Sequence, residues 1–139
     1  MASINSYLTF NGNCKEAMTF YRDCLGGELT LETIGGSGID DKMPNVISKS
    51  IMHAVLAKDD LVIMATDMVE ERGLIKGNSV AMMLNCSSEE EARSFYHKLS
   101  FGGKASHPLQ ETFWGAIFGD LIDRFGNTWL INYDKNTYI

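Results

Sequence analysis

The side chains able to do chemistry in this 139-residue chain are few and scattered. His53 follows Ile51-Met52 in an apolar run and shares a face with Ile51 and Val55 at strand spacing. An imidazole titrates near neutrality, so His53 is the candidate acid/base or ligand donor of a cleft. The competing reading is a core histidine whose ring nitrogens find hydrogen-bond partners. Gln110 and Glu111 precede Phe113 and Trp114, with Gly115 next. Polar anchors beside an aromatic pair suit the mouth of a site that stacks a flat ligand, although Gln110 and Glu111 also suit a solvated turn and Phe113 and Trp114 also suit the core. Asn132, two residues beyond Leu130, shares its face and is expected to point into a cavity. Trp129, Phe118 and Phe125 are expected in the core, and Asp123 with Gly126 is expected to build a turn. His97 and His107 are expected to be exposed.

Other chemistries find little support. Three histidines on separate elements have no metal-site spacing, and no Ser-His-Asp arrangement stands out. Glu70-Glu71 falls in a connecting segment. Residues 89–91 open a helix, where acidic side chains complement the dipole without any catalytic role. Cys14 and Cys24 lie on one expected helix and cannot bridge there, because disulfide Cα atoms lie within about 7 Å. With no local base or cation to form a thiolate, reduced thiols in a cytoplasm are expected. The cluster Gly35-Gly36-Ser37-Gly38 is followed by Asp40, Asp41 and Pro44 rather than by a helix, so it reads as a loop over a pocket and not as a phosphate cradle. The formal charge of −6, with scattered Lys and Arg, disfavours nucleic-acid binding. No apolar run reaches the roughly 18 residues of a membrane helix, and residues 1–10 do not resemble a secretory signal.

The elements that must position these residues form a repeat. A strand over 4–10 precedes an Asn11-Gly12 turn signal. A helix over 14–25 follows, with Asn13 as N-cap and Gly26-Gly27 as its stop. Strands are expected over 28–34, 46–57 and 61–66, the last two joined through Lys58-Asp59-Asp60. The pattern then restarts: a strand over 80–84, a helix opened by the capping box of Ser88 and Glu91, Gly102-Gly103, and strands across 107–133. Ala17-x-x-Phe20-Tyr21 in the first helix recurs as Ala92-x-x-Phe95-Tyr96 in the second. The expected class is α+β, with two tandem βαβββ modules (1–67 and 79–139) joined by a linker over 68–78. Each module leaves one sheet face without a helix, so two such faces can form a curved sheet with a cleft.

This duplicated pattern resembles the vicinal-oxygen-chelate superfamily, the glyoxalase/bleomycin-resistance/dioxygenase fold, and within it the PhnB-like branch. The resemblance is carried by YLTFNGNCKEAMTFYRDCLGGEL, IMHAVLAKDDLVIMATD, PLQETFWG and FGDLIDRFGNTWLIN, and covers nearly the whole chain. It implies paired βαβββ modules, commonly in a homodimer. It also implies, for metal-dependent members, ligands on the first and last strand of each module. Those corners fall near Ser6, Met64, Val80 and Leu130, and no His or Glu lies in the four strands. Hydroxyl, thioether and hydrocarbon groups do not hold a divalent ion, which argues against glyoxalase and ring-cleaving dioxygenase chemistry. No metal and no cofactor are therefore expected. No glycine-rich strand–helix loop supports a methyl-donor site. The expected function is metal-independent binding or sequestration of a small, partly aromatic ligand by Gln110, Phe113, Trp114 and Asn132. The alternative is a metal-free isomerase, epimerase or transferase using His53.

Overall fold

Apolar side chains at helical spacing bury one stripe of the first helix: Ala17, Met18, Tyr21, Cys24 and Leu25 all lie inside. In the computed structural model, which describes residues 2–35, 49–70 and 72–135, this helix is α1, Cys14–Leu25. It follows β1 (Ser6–Thr9) and precedes β2 (Glu28–Thr33), β3 (Ile51–Lys58) and β4 (Leu61–Thr66). The remaining elements are β5 (Met82–Asn85), α2 (Glu89–Ser100), β6 (Lys104–Glu111), β7 (Ala116–Ile122) and β8 (Thr128–Asp134). Among the described residues they form two four-stranded sheets, ordered β1-β4-β3-β2 and β5-β8-β7-β6. In each, a parallel pair joins the first and last strands and the other pairs are antiparallel. This is the α+β, tandem βαβββ architecture expected from the repeat. The chain divides into two compact units, Met1–Ile75 and Lys76–Ile139.

In the first unit α1 lies against β3, β2 and β4, over the buried side chains of Ala54, Leu56, Ile63 and Ala65. Gly26 ends the helix at φ 83°, a left-handed conformation that side chains with a Cβ resist. The expected Asn13 cap is not made, since its side chain forms no capping bond. The orphan amides are met instead by Asp67, just beyond β4. Its Oδ1 accepts from Gly12 N–H (2.9 Å) and Cys14 N–H (3.0 Å), while Oδ2 accepts from Ile51 N–H (2.8 Å). One carboxylate thus ties the helix start to β3, in the polarity the helix dipole favours.

In the second unit α2 covers β7, β8 and β6, and Ala92, Tyr96 and Leu99 bury against Ile117, Leu121, Trp129 and Ile131. The expected capping box is formed in shifted shape. Ser88 Oγ accepts from Glu91 N–H at 3.0 Å, and the Glu91 carboxylate accepts from Ser87 N–H rather than from Ser88. Asp123, 2% exposed, builds the turn between β7 and β8. Oδ1 accepts from Phe125 and Asn127 N–H, and Oδ2 accepts from the indole N–H of Trp129 at 2.7 Å. The tryptophan is thereby both core and anchor.

Some expected boundaries move. β1 and β5 are shorter than 4–10 and offset from 80–84, and β3 begins at Ile51. Residues 46–48 of its expected strand, and 36–38 of the glycine cluster with Asp40, Asp41 and Pro44, lie outside the described residues. Among the described residues no helix is long and apolar enough to cross a membrane.

Candidate functional site

Strand alternation decides which side chains share a face. In the second sheet Ile117, Gly119 and Leu121 are buried on the helix side, so Phe118 and Asp120 belong to the opposite face. Following the register across strands, two rows run over that face. One is Gln110–Phe118–Asn132–Asn85 and the other His107–Asp120–Leu130–Met83. Neighbouring strands lie about 4.8 Å apart and the two rows about 7 Å apart, the scale of one substituted aromatic ring. The Asn132 side-chain amide donates to Asn85 Oδ1 at 3.1 Å, leaving Asn132 an oxygen and Asn85 an amide nitrogen for a guest. Gln110 is exposed at the other end, and half-buried Phe118 lies between the amides.

Two of the four expected ligand-binding residues, Gln110 and Asn132, therefore stand in one row. Phe113 and Trp114 do not. They occupy the tip of the β6–β7 hairpin, where Thr112 N–H donates to the Ala116 carbonyl at 2.7 Å and closes the loop. There they form an edge-to-face pair at 5.0 Å, with Phe113 97% and Trp114 56% exposed. Beside the tip Lys135 pairs with Glu111, and its hydrogen bond holds that carboxyl below the usual range.

His53 belongs to the first unit, half-buried on β3 with Glu32 as its register partner. Its ring stacks on that of Tyr7 with centroids 6.0 Å apart and planes at 28°. Tyr7, Met64, Val55 and Thr30 form the adjoining row.

The ion-holding corners require a correction. Ser6 pairs with Ile63, whose side chain is buried on the helix side, so the residue beside Met64 is Tyr7. Val80 precedes β5, and the partner of Leu130 is Met83. Each corner is thus displaced along its first strand, and a one-residue slip exchanges faces. The residues in place are a phenol, two thioethers and an isobutyl group. This donor set does not fit a divalent ion, and among the described residues no group of three His, Cys, Asp or Glu could hold one.

Two of the three thiols are held in their protonated form. Burial, reinforced by Asp67, pushes Cys14 up to about 12, and burial with Glu91 does the same to Cys86. A cavity of about 350 Å³ in the first unit is lined by Thr9, Met68, Val69, Glu70, Arg72 and neighbours to Ile75. None of the expected site residues lines it. Its charged walls are the exposed pair Glu70–Arg72, at 3.6 Å, which satisfies itself.

Sequence reasoning missed one pair. His107, expected to be merely exposed, has its Nδ1 3.0 Å from both carboxylate oxygens of Asp120. Pro108 within a strand was the available signal, since proline inside a sheet marks an edge or a bulge.

The family model of the Glyoxalase/Bleomycin resistance protein/Dioxygenase superfamily matches residues 3–131. Protein YjdN of Escherichia coli strain K12 is 30% identical over 141 aligned positions, covering 95% of each chain. The structure of protein PA1353 from Pseudomonas aeruginosa is 36% identical, with a TM-score of 0.79 over 96% of this chain and 98% of that one. The PhnB protein from Bacillus cereus shares the fold at 24% identity and a TM-score of 0.75, over 95% and 99% of the two chains.

Proposed function

Because the chain belongs to the Glyoxalase/Bleomycin resistance protein/Dioxygenase superfamily, we propose that it works as a metal-independent binder of a small, partly aromatic ligand. The row Gln110–Phe118–Asn132–Asn85 carries this reading: a ring flanked by amides gives a flat guest both stacking and polar orientation. The tyrosine, methionine and leucine corners support metal independence, because ion-dependent chemistry on this scaffold needs imidazole or carboxylate there. The chain acts in the cytoplasm as a homodimer in this reading. A mass in solution that stays monomeric at every concentration overturns the dimer.

The test is a thermal-shift screen of small aromatic compounds. A ligand at a hundred times its Kd stabilises the native state by about 2.7 kcal/mol, a readily measured shift. Phe118→Ala should abolish the shift and Asn132→Ala reduce it. A screen in which Phe118→Ala responds like the parent protein refutes the site. Stoichiometric zinc, nickel or iron in the purified protein refutes metal independence.

The His53–Tyr7 contact favours a second reading, a metal-free isomerase, epimerase or transferase in the first unit. Conversion of a bound compound, lost in a folded His53→Ala variant, would establish it over simple binding.

A further inference from the structure

We propose that His107 and Asp120 form an acceptor site for the hydroxyl of a phenolic ligand. This rests on the reading that the same sheet face takes a small aromatic molecule. A carboxylate only accepts, so Asp120 fixes the proton on Nδ1 of His107, and in the neutral ring Nε2 presents a lone pair. That nitrogen makes no hydrogen bond among the described residues, and the side chain is 81% exposed against 26% for Asp120.

An exposed side-chain pair ordinarily contributes little to stability, so the irregular backbone that carries this one calls for explanation. The β6–β7 register slips on both sides of His107, between Lys104 and His107 and again between His107 and Gln110. Such bulges re-aim a side chain and are frequent beside functional sites. From the helix side the Tyr96 hydroxyl reaches the carbonyls of both dyad residues, 3.1 Å from His107 and 2.9 Å from Asp120. Burial, then the Asp120 charge, raises the pKa of that phenol, so it stays a donor. Gly119 permits the close approach, since a Cβ there would sit 2.8 Å from the His107 carbonyl oxygen. Two bulges, one hydroxyl and one glycine thus fix the backbone of both strands where the pair is carried.

The neighbours select the ligand class. Phe118 stands in the next row, one strand over from His107, and offers apolar surface to the ring of a ligand whose hydroxyl meets Nε2. A carboxylic acid would be ionised at neutral pH, offering no donor and facing the Asp120 charge. A phenol keeps its proton up to about pH 10.

The probes are 4-methylphenol and its O-methyl ether, titrated calorimetrically into the full chain. The expected result is about tenfold tighter binding of the phenol, the worth of one net hydrogen bond. His107→Ala and Asp120→Asn should each remove that preference, bringing the phenol-to-ether ratio to about one. Tyr96 is a positioning residue: Tyr96→Phe should narrow the phenol-to-ether ratio, whereas a purely structural role would lower Tm and leave the ratio alone. Equal binding of both probes, or a preference that survives His107→Ala, overturns the dyad's role while leaving ring binding intact. Failure of both probes to bind overturns the dyad's role and the aromatic reading together.

Discussion

Asp123→Ala should be among the most damaging single changes in the second unit, and its cost can be worked from three of its bonds. The carboxylate is 2% exposed and accepts from the indole N–H of Trp129 at 2.7 Å and from the amides of Phe125 and Asn127 at 2.8 and 3.1 Å. Truncation strands a buried indole donor, at about 1–3 kcal/mol, and loosens two turn amides at about 0.5–1.5 kcal/mol each. Taking mid-range values gives about 4 kcal/mol. For a chain of this length that lowers Tm by roughly 10–15 °C. Trp129→Phe removes the donor itself, so the two changes should not add. The double mutant should be about 1–2 kcal/mol less destabilised than the sum, the signature of a direct contact. Urea unfolding followed by far-ultraviolet circular dichroism reads all four proteins, because it needs no tryptophan. A cost below about 1 kcal/mol for Asp123→Ala, or strict additivity in the cycle, would refute the assignment of this carboxylate as the anchor of the β7–β8 turn.

Asp67→Ala should cost about 2–4 kcal/mol by unmaking the cap on α1 and its tie to β3, whereas Asn13→Ala should cost under about 0.5 kcal/mol. Chemical denaturation of the two variants separates a distant cap from a local one. Cys14 and Cys86 ionise near 12 when folded, against 9.0 ordinarily, so above pH 9 the unfolded chain holds fewer protons than the folded one. Stability contributed by these thiols is full below pH 9 and is lost as the pH rises towards 12. A Cys14→Ala, Cys86→Ala double variant should therefore show a shallower alkaline decline in urea midpoint than the parent. The Glu111–Lys135 pair is exposed, so Glu111→Gln should leave Tm unchanged within about 1 °C in physiological salt.

Regular local patterns were legible. The helical stripe of Ala17, Met18, Tyr21, Cys24 and Leu25 needs only a 3.6-residue period, and α1 spans the expected residues. The Ala-x-x-Phe-Tyr repeat revealed two modules because each helix meets its sheet with the same side chains, and the family match covers both. The α1 cap was not legible. Asn13 has a favourable type and position for capping, but the acceptor comes from Asp67, fifty-odd residues on, and chain-local rules do not weigh such competition.

The site suffered most where the sheet is irregular. Asn132 was placed by counting two residues per repeat along a strand, and every bulge changes such a count. From Leu130 to Asn132 no irregularity intervenes, so the shared face survived. From His107 to Gln110 the register slips within β6, and two residues of odd separation come to lie on one face. An alternation rule would have put them on opposite sides. The corners failed for the related reason that β1 and β5 are only four residues long, too short for a periodic signal to fix their phase. Tyr7 and Met83 stand where Ser6 and Val80 were expected, and the chemistry is the same, since neither pair supplies the donors a divalent ion requires. The duplication is robust to slips of this kind, because it depends on which element follows which. The chemistry is not, because it depends on which of two adjacent residues turns towards the guest. Functional assignment on this scaffold is thus a question of strand phase, and the two bulges around His107 are where that phase was set for the second module.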